Sequence, residues 1–369
     1  MRIAIGALVG STGGPRTYAY HLIEKLAQLD NDHKYIVLTD RAGMFAHMER
    51  LEVVELPLRF RSLVPFWEYI CVPIALRRIH ADLYHNTRAV LPWLCPCPAI
   101  MTIHDLAPFV FPDTFTKRQQ LYLRGTTKSG VRRASFILTV SEHSRNDIID
   151  RMGVAPNMVH TVYNGVTEQF HKIENQARLT VFRTKYNIDT PILLCLGTIQ
   201  PRKNVDIVIR SFARLKRQYR IPHHLFIVGR EGWLTHDLEN LVLQEGLRDS
   251  VVFTGAVPDE DVPLFCNIAD IFLSPSSYEG FGLNILEAMA CGTPVVTTGV
   301  SSIPEVTGDA ALIVHPRDVT GTADAVARLI QDTDMKARCI EKGLIRAKQF
   351  TWAAAAEQIA AVYTEQINV

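Results

Sequence analysis

The sequence predicts an α/β protein built from two doubly wound parallel-sheet domains. Short apolar runs that read as strands alternate with amphipathic helical stretches along the whole chain, the pattern of parallel sheets covered on both faces. Several of these runs end in glycine or in polar residues, at the carboxyl ends where such sheets gather ligands. At 369 residues the chain has room for about two domains of ~100–200 residues each. The polar, patternless stretch TEQFHKIENQ separates them. It gives an N-terminal domain over 1–168, a second domain over 169–350, and an Ala-rich helix over 351–369.

With 47% apolar and 21% charged residues the composition is that of a globular protein able to bury two cores. A net charge of +1 gives no electrostatic bias toward nucleic acid. The seven cysteines are an odd number and mostly sit in apolar surroundings, as Cys195 and Cys291 do, so they read as reduced, buried, small hydrophobes. Cys95 and Cys97 lack a second Cys/His pair at zinc spacing, and no metal site is expected there. The opening MRIAIGALVG is too short for a signal peptide and runs into a glycine loop, so it reads as a first strand. No apolar run reaches the ~18 residues of a membrane span. A soluble, cytoplasmic protein is expected.

The first unit begins with strand Arg2–Ile5, the loop GALVGSTGGPRT and a helix over 18–29. Its glycines do not form the dinucleotide-binding GxGxxG, and a plain turn explains one glycine better than the adjacent pair Gly13 and Gly14. Strands follow near 35–39, 53–56 and 83–85; Asn86 and Thr87 fall at the carboxyl end of the last. The strand Ala99–Ile103 ends in His104-Asp105, and a His-Asp pair at that position favours a functional role over a structural one. The basic stretch holding Lys117, Arg118, Arg124, Lys128, Arg132 and Arg133 contains no acidic residue. A solvated basic helix is the commoner explanation of such a run; the alternative is a surface for anionic lipid or a lipid diphosphate. Strand 136–140, a helix capped by Ser141 and strand 159–163 complete the unit.

In the second unit the strand Ile192–Leu196 runs into GTIQPRKNVD and a helix, which puts Arg202 and Lys203 just before a helix start. Cations are poor partners for that end of the dipole, and an anion between them resolves the conflict. The strands ending at Gly229 and Gly255 suggest backbone approach to a flat ligand such as a base. After the buried strand Ile271–Leu273 comes SPSSYEGFGLNILEAMACG, a strand, a loop and a helix. Gly280 and Gly282 flank Phe281, so backbone amides can approach a ligand, and the helix start suits a phosphate. Glu279 lies in the loop and Glu287 about one turn inside an apolar helix, where a carboxylate needs a partner. Both can accept from vicinal hydroxyls, as a clamp on sugar or ribose does.

That segment resembles the signature of glycosyltransferase family 4, in which a Glu, seven residues and a second Glu mark the nucleotide-sugar site. TIHDLAPFVFP resembles a subgroup that includes bacterial polysaccharide mannosyltransferases, and SIPEVTGDAALIVHP also matches the family. The resemblance implies the GT-B architecture: two Rossmann-like domains facing a cleft, the first on the acceptor side, with the last helix crossing back onto the first domain. It implies that Glu279 and the following amides of Gly280, Phe281, Gly282, Leu283 and Asn284 hold the donor sugar, and that Glu287 holds the ribose. It further implies that Arg202, Lys203 and the Gly13-Gly14 loop meet the diphosphate and that His104 lies beside the reacting centre, while the glycine-ended strands place the base near Gly229. Asn86 and Thr87 become acceptor-side residues.

The expected activity is therefore a retaining hexosyl transfer from a nucleoside diphosphate sugar to a hydroxyl of a glycan or lipid-linked glycan, in cell-surface polysaccharide synthesis. Subgroup resemblance alone points to GDP-mannose. No metal or other cofactor is required by this reading, and the basic run leaves open a peripheral contact with the inner face of an anionic membrane. A dinucleotide-dependent oxidoreductase would need GxGxxG and a following acidic residue, which the chain lacks. An epimerase, a phosphorylase or a non-enzymatic nucleotide-sugar binder of the same architecture would differ in products and turnover.

Overall fold

The computed structural model describes residues 1–9, 13–29, 32–58, 63–232 and 237–365. Gly10 and the two residues after it in the first glycine loop lie outside them. The first sheet holds β1 (Arg2–Ala7), β2 (Lys34–Thr39), β3 (Glu52–Glu55), β4 (Leu83–Asn86), β5 (Ala99–Ile103), β6 (Phe136–Thr139) and β7 (Val159–Thr161), in the order β3-β2-β1-β4-β5-β6-β7. The second holds β8 (Ile192–Leu196), β9 (His224–Val228), β10 (Val251–Gly255), β11 (Ala269–Ser274), β12 (Val295–Thr298) and β13 (Ala311–Val314), in the order β10-β9-β8-β11-β12-β13. All of these pairings are parallel.

Central strands such as AIMTI in β5 are buried at every position, because helices cover both faces of the sheet. β12 and β13 are not apparent from alternation alone. VVTT follows Pro294 closely after the helix Leu283–Ala290, and ALIV carries three exposed or half-exposed residues at the sheet edge. In each sheet the strand order reverses once, between β1 and β4 and between β8 and β11. Such switch points leave a crevice at the carboxyl ends of the two strands.

By its internal contacts the chain divides into two compact units. One comprises Met1–Pro112, Thr116–Gly165 and the segment from Thr351; the other comprises Asp113–Phe115 and Val166–Phe350. The stretch TEQFHKIENQ thus lies wholly in the second unit. The first unit closes at Gly165, where a Cβ would stand 2.0 Å from the Trp352 amide nitrogen. The helix Trp352–Glu365 belongs to the first unit and buries Trp352, Ala356, Ile359 and Tyr363. The Trp352 ring packs edge-on against Tyr18, 6.0 Å between centroids, on the helix Gly14–Gln28.

Gly229, just beyond β9, has φ +143° and donates its amide to Gly255 at 2.9 Å. A Cβ there would lie 2.1 Å from the carbonyl oxygen of Gly197. The glycine expected to admit a flat ligand is therefore demanded by the neighbouring backbone. Gly229→Ala should lower stability by about 2 kcal/mol or more, combining a left-handed backbone strain with a steric clash. Gly125→Ala, on an open face of the helix Lys117–Val131, should leave the melting temperature unchanged or raised. Equal melting temperatures for the two variants would contradict this account.

Candidate functional site

The loops leaving β8 and β11 meet at the switch point of the second sheet. Asn204 has φ +51° and donates from Nδ2 to the Pro275 carbonyl at 2.7 Å and to Ser277 Oγ at 2.8 Å. The Ser277 amide returns a bond to the Arg202 carbonyl at 2.8 Å. From the other side, Thr297 and Thr298 at the end of β12 donate to the carbonyls of Ser274 and Ser276, both at 2.7 Å. Ser302 donates to the Glu279 carbonyl at 2.8 Å, and Ser301 accepts from its amide at 2.9 Å. These hydroxyls and Asn204 were not singled out in the sequence, where isolated Ser and Thr carry no periodic signal. They fix the backbone that presents Glu279.

Glu279 is buried. Arg202 NH1 donates to its Oε2 at 2.9 Å and to the Tyr278 carbonyl at 2.6 Å. Lys203 Nζ lies 2.6 Å from Oε1 as an ion pair; it falls off the hydrogen-bonding direction and leaves that oxygen without a directed donor. Burial alone would raise the Glu279 carboxyl, but Lys203 and then Arg202 hold it down to about 2. The anion expected between Arg202 and Lys203 is thus present within the protein. Two cations and one carboxylate leave a net positive group beside Gly197, whose Cβ position is 3.9 Å from Lys203 Nζ. A recess lined by Gly197, Thr198, Lys203 and Ser274 opens there.

The helix Leu283–Ala290 starts from Gly282 at φ +99°, with no side chain capping its first amides. Asn284 donates to the Leu196 carbonyl at 2.7 Å, so its side chain ties the helix to the end of β8. The Phe281 ring is buried against Phe350, 5.7 Å between centroids, which leaves only backbone to serve the role expected of it. Glu287 is half-buried and accepts no hydrogen bond or ion pair from any described residue. Burial pushes its carboxyl up to about 7, against the pull of Lys203. Gly280 and Leu283 lie in the loop and first turn between the two glutamates.

In the first unit the helix Gly14–Gln28 begins at Gly13, φ +108°, with no side-chain cap and open space at both glycines. Asn86 and Thr87, expected on the acceptor, are buried at the β1–β4 switch point and bonded internally. Asn86 donates to Glu68 Oε2 at 2.9 Å and accepts from the Arg88 amide at 3.1 Å, while Thr87 donates to the Gly6 carbonyl at 2.8 Å. Both side chains thus bond the scaffold of the switch point. His104 and Asp105 do not pair. His104 Nε2 donates to the Thr87 carbonyl at 3.0 Å, which leaves Nδ1 as the lone-pair nitrogen, and Asp105 accepts from the Ala107 amide at 2.9 Å. Burial lowers the His104 pKa.

A buried polar chain supports that imidazole. The Tyr18 ring meets His104 edge-on at 4.8 Å, and its hydroxyl shares a hydrogen bond with Thr102 at 3.0 Å. Thr102 bonds His85 Nε2 at 2.8 Å, and His85 Nδ1 bonds the Tyr363 hydroxyl at 2.6 Å. Burial holds His85 neutral, its pKa lowered to about 3. These residues read in sequence as helix, strand and C-terminal helix positions, and only folding assembles them. The chain holds three Asp-x-Asp stretches, a spacing that can hold a divalent cation; the one at 30–32 lies partly outside the described residues, and in the other two Asp261 accepts from Lys185 and Tyr186, both at 2.6 Å, and Asp332 caps the helix Thr333–Ala347.

The site can therefore offer cations to a phosphate at one end of an apolar helix and an unpartnered carboxylate to hydroxyls one turn further on. Residues 12–170 match the family model Glycosyltransferase Family 4, and residues 180–346 match Glycosyl transferases group 1. O-antigen chain mannosyltransferase B of Escherichia coli is 34% identical over 280 residues, which span 75% of this chain and 73% of that protein. Alpha-D-kanosaminyltransferase of Streptomyces kanamyceticus is 30% identical over 242 residues, 64% of this chain and 62% of that one. The crystal structure of Anabaena HepE in complex with UDP and glucose superposes with a TM-score of 0.81 at 20% identity, covering 99% of this chain and 100% of that one, which shows a shared fold. With both sheets, the Glu279–Glu287 segment and these matches in hand, the chain belongs to glycosyltransferase family 4 and is a glycosyltransferase.

Proposed function

We propose that this enzyme transfers mannose, with retention, from GDP-mannose to a hydroxyl of a glycan or lipid-linked glycan in the making of a cell-surface polysaccharide. The observation that carries the reading is the Arg202–Glu279–Lys203 group at the β8–β11 switch point, with the unpartnered Glu287 a short way along the adjoining helix. The similarity to an O-antigen chain mannosyltransferase supports the choice of sugar and of product class.

In this reading the donor's diphosphate lies against Arg202 and Lys203, and its negative charge grows as the glycosidic bond breaks. Preset cations stabilise that growth more than they stabilise the bound donor. They also meet the charge without a metal or other cofactor. Glu279 orients both cations and presents its remaining acceptor capacity to the sugar, while the backbone at Gly280, Gly282 and Leu283 lines the approach. Glu287 accepts from the ribose hydroxyls. In the first unit His104 offers Nδ1 to a sugar hydroxyl, and Gly13 and Gly14 offer uncapped amides.

A melting panel of nucleotide sugars tests the donor. GDP-mannose at 100 times its dissociation constant should add about 2.7 kcal/mol of stability, and turnover should give a product of unchanged anomeric configuration. Stabilisation by UDP-glucose and none by GDP-mannose would replace the proposed donor.

Arg202→Ala should lower kcat by about 10²–10³ while weakening donor binding less, and Arg202→Lys should recover part of the loss without the paired grip of a guanidinium. Saturating-donor kinetics with parallel melting curves decide the point. A folded Ala variant with wild-type kcat would remove Arg202 from the site.

Glu287 gives a pH test. Its folded pKa of about 7 exceeds the ordinary carboxyl value of 4.5, so the free protein loses stability as pH rises through 7, and hydroxyl donors favour the ionised form. Glu287→Gln should melt higher than wild type at pH 8, with the gap closing toward pH 5. It should also bind nucleotide sugar weakly at every pH, whereas wild-type affinity should fall from pH 8 to pH 6. Parallel pH profiles for the two proteins would refute the ribose role.

A further inference from the structure

Residues 64–78 form one helix whose central turn, Trp67–Cys71, is π-wound. Its inner face buries Trp67, Glu68, Val72, Ala75 and Leu76. Its outer face carries a row of large apolar side chains open to solvent: Leu63, Phe66, Ile70 and Ile74, each 43–56% exposed. A polar residue at these positions would cost the fold nothing, so four apolar ones in a row call for an occupant. The row continues onto a second element. Tyr69 stacks on Trp93 at 4.5 Å between centroids, and Trp93 and Leu94 are 65% and 71% exposed.

Positive charge frames this surface. The row runs out at Arg77 and Arg78, both exposed. The loop bearing Trp93 is fastened to the basic helix Lys117–Val131 and the turn after it. Arg133 donates to the carbonyls of Leu91 and Pro92 at 2.8 and 3.2 Å, and a Cβ on Gly130 would come within 3.4 Å of the Leu91 amide. Within the basic run Arg124 lies over the Phe109 ring at 5.2 Å and Arg133 is spent on the loop, so the run is partly structural. Arg132 next to it is exposed. Among the described residues no helix is long and apolar enough to cross a membrane.

We propose that Leu63, Phe66, Ile70, Ile74, Trp93 and Leu94 form a face that inserts into the headgroup region of an anionic bilayer, with Arg77, Arg78 and Arg132 meeting the lipid phosphates. An aromatic at the edge of an apolar row, with arginines beyond it, matches the polarity gradient of a lipid surface. The charge complementarity selects anionic lipid over a second copy of the chain, whose corresponding surface would bring arginines against arginines. This face is separate from the Arg202–Glu279 group, so it stands or falls independently of the proposed donor and sugar.

The test uses the full chain with vesicles of phosphatidylglycerol and phosphatidylcholine, and with phosphatidylcholine alone. The wild type should co-sediment with the anionic vesicles and show a blue shift in tryptophan emission that Trp93→Phe lacks. Added salt should weaken binding without abolishing it, because screening acts on the arginines and not on the inserted side chains. Phe66→Ser with Ile70→Ser should reduce vesicle affinity roughly tenfold or more, while Val181→Ser, an exposed apolar residue of the other unit, should not. Melting curves and turnover on a water-soluble acceptor report that the variants are folded. No binding to anionic vesicles, binding unchanged in the double variant, or a concentration-dependent dimer that the double variant abolishes would each overturn the proposal.

Discussion

The placement of Glu279 governs how the second unit works. A carboxylate buried in the loop after β11 is costly unless cations accompany it, and the loop after β8 brings two to it, Arg202 and Lys203. That requirement joins the two strands flanking the switch point. Breaking one half of such a group typically costs 3–5 kcal/mol, so the pair fixes geometry at least as much as it adds stability. The same group leaves one positive charge in excess beside a recess, which is what a phosphate-bearing ligand needs. Structure and chemistry at this point are one arrangement.

The first unit solves a different problem with neutral groups. His85 is buried and uncharged, and hydrogen bonds shared with Tyr363 and Thr102, one donated by the ring and one accepted, satisfy both of its ring nitrogens. Thr102 passes the chain on to Tyr18, whose ring edge fixes the His104 imidazole. In this way the last helix, added to the unit from the far end of the sequence, takes part in orienting a residue on β5's following loop. A satisfied network of this kind rigidifies a site, because each hydroxyl has one arrangement in which every partner is served.

The sequence showed the strands of the first sheet, the central strands of the second and the Glu279–Glu287 segment, since continuous apolar runs and paired carboxylates on a glycine loop are local signals. β12 and β13 were less visible: VVTT and ALIV are short, and one lies at a sheet edge with mixed exposure. Several of the residues singled out also carry structural tasks that no local pattern could supply. Gly229 answers the Gly197 backbone, Asn284 ties down Leu196, and the Phe281 ring is taken by Phe350. Asn86 and Thr87 stand at the carboxyl end of β4, where they also bond Glu68, Arg88 and Gly6.

By itself the sequence determined the fold class, the two-domain organisation, the family and the pair of glutamates, because these depend on periodicity and on residues close together in the chain. The tertiary structure decided which charges face one another and which side chains are left over. Arg202 and Glu279 are far apart in sequence and 2.9 Å apart in space; Tyr363 reaches His85 across 278 positions. Whether a carboxylate is held near 2, as in Glu279, or pushed to about 7, as in Glu287, depends on which cations folding delivers to it. That is a property of the assembled neighbourhood, and identical residue types eight positions apart acquire opposite character from it.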